Sequence, residues 1–119
     1  MFVKIKMAGI YSILHNPTGK IYIGMSVDIY GRWQSHYNQI RIGNHSSILL
    51  MELWTQTDPS EWSFSILEYV SISDYKIVSK MKGKALVNGF RTLLLKKEKE
   101  WMKKHSINFA LNKNNKQFQ

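Results

Sequence analysis

Cysteine is absent from the 119 residues of the chain. A disulfide framework, a zinc finger and a thiol nucleophile are therefore excluded together, and any metal ion must be held by oxygen or imidazole ligands. The chain also lacks an apolar stretch long enough to span a membrane. Residues 1–6 form a basic segment without the long apolar run of a signal peptide. We expect a cytoplasmic protein with no membrane segment.

Acidic residues are scarce in the C-terminal part of the chain. Residues 1–75 hold 5 Lys+Arg and 6 Asp+Glu, net −1, whereas residues 76–119 hold 12 Lys+Arg and only Glu98 and Glu100, net +10. Lysine and arginine that neutralise phosphates release counterions, so such a surface gives salt-sensitive affinity for nucleic acid. A solvated helix face that keeps a protein soluble has the same composition. Charge alone leaves both interpretations open.

Three strands are predicted from β-forming and alternating residues. Residues 8–14 and 20–24 are rich in β-formers, and Pro17 and Gly19 suit a turn that joins them as a hairpin. Apolar and polar side chains alternate again in residues 62–70, which predicts a third strand.

Four helices are predicted between and after these strands. Asp28 suits the N-cap of a helix to about Arg41, with Gly43 and Asn44 as its stop. The other helices are predicted over residues 47–56, from about residue 73, and over residues 90–104, with a loop around residues 82–84.

Size and composition fit a single domain, because 119 residues at 44% hydrophobic content are too few for two ordinary domains. We expect it to cover residues 1–113, with a polar tail at residues 114–119. The stretch from Asn112 onward is expected to fray, because it lacks an apolar face. The elements predict an α/β or α+β fold, with a small three-stranded antiparallel sheet flanked by helices.

A histidine falls among the core residues of the first predicted helix. At about 100° per residue, His36 lies on the apolar arc, and Arg32 lies at its shoulder one turn earlier. The arc is formed by Ile29, Trp33, Tyr37 and Ile40. A satisfied core histidine and a functional one both fit this position.

A carboxylate falls on the inward stripe of the last predicted helix. Glu98 lies near the centre of its apolar arc, whereas Glu100 points about 120° away, toward solvent. The arc consists of Phe90, Leu94, Trp101 and Met102. A buried carboxylate is costly unless it is paired or binds a metal. A salt bridge to Arg32 and a metal site are both open interpretations of Glu98.

Two tripeptides carry the most specific signal in the chain. Gly9-Ile10-Tyr11 lies in the first predicted strand, and Tyr22-Ile23-Gly24 begins eleven residues after Tyr11, in the second. The pair resembles the signature of the GIY-YIG nucleases. The fold of that family, a three-stranded sheet flanked by helices, agrees with the predicted elements.

The resemblance runs from residue 8 to about residue 113 and includes polar residues after the tripeptides. The family has an arginine about eight residues past the second tripeptide and often a histidine four residues later. Arg32 and His36 occupy these positions. The segment His45-Ser46-Ser47 also resembles one found in phage homing nucleases of the family.

The family then has a glutamate on a helix, commonly followed by an aromatic residue, and an asparagine near the end of the domain. Glu98 and Asn112 match these positions and complete the implied catalytic set. Residues 71–91 form a longer segment than compact homing nuclease domains have, so Glu100 is the alternative glutamate. Asn108 is the alternative asparagine.

The resemblance implies hydrolysis of phosphodiester bonds in double-stranded DNA with one divalent cation, Mg²⁺ or another such as Mn²⁺. Glu98 would be the one protein ligand of the metal, with water and phosphate completing its coordination. Tyr11 and Tyr22 would face the site from adjacent strands, with Tyr11 as general base. A phenol is a poor base at neutral pH, and Arg32 and His36 are placed to lower its pKa.

DNA contacts are expected mainly from the basic part of the chain. The candidate residues are His45, Lys82, Lys84, Lys96 and Lys97. The implied protein is a DNA endonuclease most like the catalytic domain of phage or intron homing endonucleases, in the host cytoplasm if it is phage-encoded. We expect a monomer, and nicking, sequential cutting of the two strands and transient dimerisation on DNA are all open.

Several other functions fit parts of this pattern. A restriction or repair nuclease of the same family would use the same chemistry. A catalytically silent DNA-binding module would keep the basic residues without needing Tyr11, Arg32 and Glu98. A basic RNA-binding protein would lack any recognisable RNA module here. Since about seven residues follow Asn112, we expect an isolated catalytic domain or a stand-alone nuclease.

Overall fold

A three-stranded antiparallel sheet forms the centre of the fold. The computed structural model describes residues 7–105 and 111–112. Its strands are β1 (Gly9–His15), β2 (Ile21–Ser26) and β3 (Trp62–Tyr69), in the spatial order β2-β1-β3. Its helices are α1 (Ile29–Arg41), α2 (Ile48–Thr55), α3 (Ile72–Ser79) and α4 (Gly83–Lys103), and a 3₁₀ turn at Pro59–Glu61 precedes β3. The predicted fold class is confirmed.

Side-chain caps begin the first three helices. The Asp28 side chain accepts a hydrogen bond from the Gly31 N–H at the start of α1, as the sequence predicted. Ser47 and Ser71 cap α2 and α3 in the same way. Each cap satisfies a backbone donor that has no partner within the helix. The predicted ends of α1 and α2 therefore agree closely with the observed ones.

The start of α4 differs from the prediction. The helix begins at Gly83, seven residues before the predicted start, so Lys84 belongs to its first turn rather than to a loop. Its N-cap, Lys82, makes no side-chain cap, and Val87 is 59% exposed, so neither a cap nor an apolar stripe marks the first two turns. Although α4 has 21 residues, no helix in the described part of the chain is apolar enough to span a membrane.

Two further expectations were wrong. Tyr37 was placed on the core arc of α1, but it is 47% exposed. Helical projection puts Tyr37 about 80° from Ile29, at the edge of the arc, where the sheet no longer covers it. Asn112 was expected to begin a frayed tail, but it is buried. Residues 113–119 lie outside the described residues.

The helices cover both faces of the sheet. On one face, Tyr11, Ile13 and Tyr22 pack with core residues of α1 and α2. On the other, Ile10, Ile21 and Ile23 pack against the C-terminal half of α4. Alternate residues of β1 therefore enter two separate cores, as the period of two in a strand requires.

The glycines of the two tripeptides are required by close contacts. A Cβ atom at Gly9, where φ is +154°, would lie 2.0 Å from the carbonyl oxygen of Glu68 on β3. A Cβ atom at Gly24 would lie 2.3 Å from the Tyr11 hydroxyl oxygen. Gly24 is paired directly with Tyr11 across β1 and β2. The second glycine thus leaves the space that the Tyr11 ring occupies.

We predict that Gly24→Ala destabilises the domain by about 2–3 kcal/mol, because the new methyl group overlaps the buried Tyr11 ring. Gly83→Ala is the matched control, because a Cβ there meets nothing within 4 Å and only the positive φ of +58° opposes it. That variant should lose about 1 kcal/mol. Urea unfolding measures both changes. Equal losses in the two variants would contradict the assigned role of Gly24.

Candidate active site

The tyrosines of the two tripeptides lie next to each other in a buried aromatic cluster. Tyr11 and Tyr22 are 1% and 5% exposed. His36 of α1 packs against both, with ring centroids 5.6 Å from Tyr11 and 5.1 Å from Tyr22. His45, in the loop after α1, packs against Tyr22 at 5.6 Å and stacks on His36 at 4.7 Å. The structure therefore brings together four of the predicted site residues.

A chain of hydrogen bonds connects this cluster to the start of α2. The Tyr11 hydroxyl oxygen lies 2.6 Å from Nε2 of His36, and Nδ1 of His36 lies 2.5 Å from Nε2 of His45. The backbone N–H of Ser47 donates to Nδ1 of His45 at 2.9 Å. His36 and His45 are 0% and 5% exposed, so the chain is enclosed by protein.

The Ser47 amide fixes the direction of the whole chain. Because Nδ1 of His45 accepts from this amide, the proton of a neutral His45 must be on Nε2. That N–H donates to Nδ1 of His36, so the His36 proton must also be on Nε2. His36 therefore donates to the Tyr11 oxygen. A hydrogen bond received by this oxygen favours the phenolate form of Tyr11.

Both imidazoles are neutral at pH 7. Burial, followed by the charges of Arg32 and His45, lowers the pKa of His36 to about 3. Burial and then the charge of Arg32 lower the pKa of His45 to about 4. The two histidines consequently act as oriented N–H groups and contribute no positive charge.

Arg32 supplies the positive charge of the cluster. It lies on α1 one turn before His36, and its charge and hydrogen bonding lower the pKa of Tyr11. Burial and the neighbouring Tyr22 nevertheless raise the pKa of Tyr11 by more, and the net shift is upward. The expected lowering by Arg32 is confirmed, but burial outweighs it, and the uncharged His36 does not add the positive charge that was expected of it.

Glu98 of α4 lies near enough to Tyr11 for its charge to act on that tyrosine. It is 6% exposed, and its charge contributes to the raised pKa of Tyr11. Burial raises the pKa of Glu98 to about 7, opposed by a hydrogen bond from the Met25 backbone and by the charge of Lys99. Glu100 is exposed. Helical projection predicted that Glu98 points inward and Glu100 toward solvent, and the structure shows this arrangement.

The salt bridge between Glu98 and Arg32 is not formed. In the described residues, the ion pairs join Lys97 to Glu68 and His15 to Glu61. No group of three or more His, Cys, Asp or Glu side chains that could hold a metal occurs within residues 7–105 and 111–112. Among the residues that the structure describes, no cationic side chain therefore forms an ion pair with the buried Glu98 carboxylate.

Glu68 of β3 holds the helix segment around Glu98, and sequence reasoning missed it. Its carboxylate accepts from Nζ of Lys97 at 2.7 Å and from the indole N–H of Trp101 at 2.9 Å. These two donors flank Glu98 on α4, four residues apart. The Lys97 side chain, predicted to contact DNA, is therefore engaged with β3. The spacing of Lys97 and Trp101 on one helix face was the available signal.

Asn112 fastens the C-terminal segment to the edge of β2. Its Oδ1 accepts from the Ile23 N–H and its Nδ2 donates to the Ile23 carbonyl, both at 2.8 Å. The Leu111 N–H donates to the Ile21 carbonyl at 2.7 Å. Both polar groups of the Asn112 amide are therefore used by the backbone. The alternative asparagine, Asn108, lies outside the described residues.

The other residues predicted to bind DNA differ in their exposure and in the side of the molecule on which they lie. His45 is buried in the hydrogen-bond chain rather than exposed. Lys82 and Lys84 are exposed at the start of α4. Lys96 is also exposed, but helical projection puts it about 160° from Glu98. The structure brings only part of this predicted set to the Glu98 side of the molecule.

Comparisons with known proteins agree with this geometry. Intron-associated endonuclease 1 of Enterobacteria phage T4 is 33% identical over 63 residues, which are 53% of this chain and 25% of that protein. The chain thus spans about a quarter of the length of this relative. The catalytic domain of homing endonuclease I-TevI superimposes with a TM-score of 0.63 at 25% identity, covering 87% of this chain and 96% of that domain.

A mutant of the I-TevI catalytic domain gives the same TM-score, 0.63, at 24% identity, with 82% of each chain covered. The sequence profile of the GIY-YIG catalytic domain matches residues 7–115, nearly the whole chain. The chain belongs to the GIY-YIG family of endonuclease catalytic domains.

Proposed function

We propose that this domain is a divalent-metal-dependent DNA endonuclease with the role of a phage or intron homing endonuclease. The observation that carries the proposal is the approach of a buried carboxylate, Glu98, to a buried tyrosine, Tyr11, whose oxygen receives hydrogen bonds from neighbouring donors. The T4 relative is named as an intron-associated endonuclease, which supports the homing role. The monomeric state and the cytoplasmic location stay predictions.

Glu98 has the properties of a carboxylate that holds a metal ion. It is buried and has no cationic side-chain partner among the described residues, so its negative charge is poorly compensated in the free protein. A single carboxylate suits Mg²⁺, which retains several waters and completes its coordination with substrate phosphates. When bound, such a cation stabilises negative charge on the phosphoryl oxygens and on the leaving 3′ oxygen.

Tyr11 is the group that takes the proton of the attacking water. His36 and Arg32 both donate toward its oxygen, and both favour the phenolate over the phenol. Since burial raises its pKa, only a small fraction is phenolate at pH 7, and that fraction grows as the pH rises. Arg32 also provides a planar group of donors for a phosphate.

We predict that purified protein nicks or linearises supercoiled plasmid with Mg²⁺ and not with EDTA. Glu98→Ala should reduce the rate by at least about 100-fold, because the metal ligand is lost. Glu100→Ala is the matched control, as it removes an exposed glutamate from the same helix. It should cleave at the wild-type rate.

Circular dichroism confirms that each variant is folded. Equal cleavage by Glu98→Ala and wild type would remove Glu98 from the site. Intact plasmid with every protein, together with a salt-sensitive gel shift, would indicate a catalytically silent DNA-binding module instead.

We also predict that the stability difference between Glu98→Gln and wild type depends on pH. The pKa of Glu98 rises from the ordinary 4.5 to about 7 on folding. The wild type therefore has its full stability below pH 4.5 and loses part of it as the pH rises to about 7, where Glu98 ionises in the fold. Glutamine stays neutral, so the variant should gain up to about 3 kcal/mol relative to wild type above pH 7.

Thermal unfolding at pH 5 and pH 8 measures this difference, with Glu100→Gln as the pH-independent control. Mg²⁺ at pH 8 should raise the Tm of wild type and not that of Glu98→Gln, because only the carboxylate attracts the cation. The same pH dependence in both proteins, or an equal Mg²⁺ effect, would contradict the account of Glu98.

A further inference from the structure

A groove opens beside the Glu98 site, between the end of β2 and α4. It has a volume of about 320 Å³ and is lined by Met25, Ser26, Val27, Val87, Arg91 and Leu94. We refer to it as the Arg91 groove. It adjoins Glu98, because Met25 lines the groove and its backbone hydrogen bonds to the Glu98 carboxylate. A strand that reaches Glu98 can therefore continue into the groove.

Arg91 is the cation of this groove, and it faces the same side of α4 as Glu98. Helical projection puts Arg91 two turns before Glu98 and about 20° from it around the helix axis. Its side chain is exposed and makes no hydrogen bond or ion pair with any of the residues that the structure describes. None of the residues that line the groove is acidic. The guanidinium is therefore free to bind an anion.

Ser26 adds a second donor to the groove. Its hydroxyl oxygen accepts a hydrogen bond from the Asp28 N–H at 2.9 Å. The hydroxyl proton itself has no acceptor among the described residues, so it can be donated to a ligand. A guanidinium and a hydroxyl together match the oxygens of a phosphate group.

We propose that the Arg91 groove binds a backbone phosphate of the DNA strand that is cut. This inference rests on the proposed nuclease function. Seven residues of α-helix rise about 10.5 Å, and phosphates of one strand rise about 3.4 Å per nucleotide along the duplex axis. With the strand running along α4, Arg91 binds the phosphate about three nucleotides from the scissile one. The contact positions the strand on Glu98 without reading its sequence.

The test compares Arg91→Gln with Lys103→Gln. Both substitutions remove one positive charge from an exposed position of α4, but Lys103 projects about 140° away from Glu98. Fluorescence anisotropy with a 30-base-pair duplex in EDTA, over a series of KCl concentrations, gives Kd and its salt dependence. Arg91→Gln should weaken binding about three- to tenfold and reduce the salt slope by about one. Lys103→Gln should change Kd less than twofold.

Cleavage kinetics and phosphate mapping complete the test. Arg91→Gln should raise KM for plasmid and leave kcat within about twofold of wild type, because the groove holds the strand away from the reacting phosphate. Ethylation interference on a fragment cut by wild type should show one sensitive phosphate about three nucleotides from the cut. That sensitivity should disappear with Arg91→Gln and persist with Lys103→Gln.

These measurements distinguish a failure of the groove proposal from a failure of the proposed nuclease function. If wild type cuts plasmid but Arg91→Gln matches Lys103→Gln in Kd, salt slope and interference, the groove proposal is overturned and the nuclease function stands. A drop in kcat at unchanged KM would also overturn it, since Arg91 would then act on the chemical step. If wild type does not cut DNA with any divalent cation, the proposed function itself fails.

Discussion

The hydrogen bond from the Ser47 amide to His45 is the constraint on which the rest of the site depends. It determines which nitrogen of each histidine carries the proton, and so determines that His36 donates to Tyr11. The Ser47 side chain caps α2 and donates to the Leu111 carbonyl. One residue therefore connects the start of a helix, the orientation of the aromatic cluster and the segment that closes the edge of β2.

The cluster places several titratable groups in surroundings that oppose their charged forms. Burial lowers the pKa of both histidines and raises the pKa of Tyr11 and of Glu98. Arg32 is the one cation that the described structure places against Tyr11. Ionising these side chains is costly in the free protein. A bound cation or phosphate therefore has a large effect on their protonation states. Ionised Glu98 therefore destabilises the free domain at the position that we propose for the metal ion.

Local pattern predicted much of this arrangement. Strand alternation predicted the sheet, the Asp28 cap predicted the first helix, and the apolar arc of α4 predicted that Glu98 points inward. Each of these predictions depends only on residues that are neighbours in sequence. The start of α4 was missed, because no cap or apolar stripe marks it. The raised pKa of Tyr11 and the hydrogen bond between Glu68 and Lys97 depend on contacts between segments far apart in the sequence. The periodicity of a single strand or helix cannot predict such contacts. The roles of the site residues in cleavage stay predictions.

The protonation of the two stacked histidines tests this account most directly. Long-range ¹H–¹⁵N correlation spectra distinguish the two neutral tautomers, and His15→Gln and His105→Gln variants assign the signals. The account predicts that His36 and His45 both carry the proton on Nε2 and stay neutral down to about pH 5, since their pKa values are about 3 and about 4. A proton on Nδ1 of His36, or titration of either ring near pH 6.5, would contradict it.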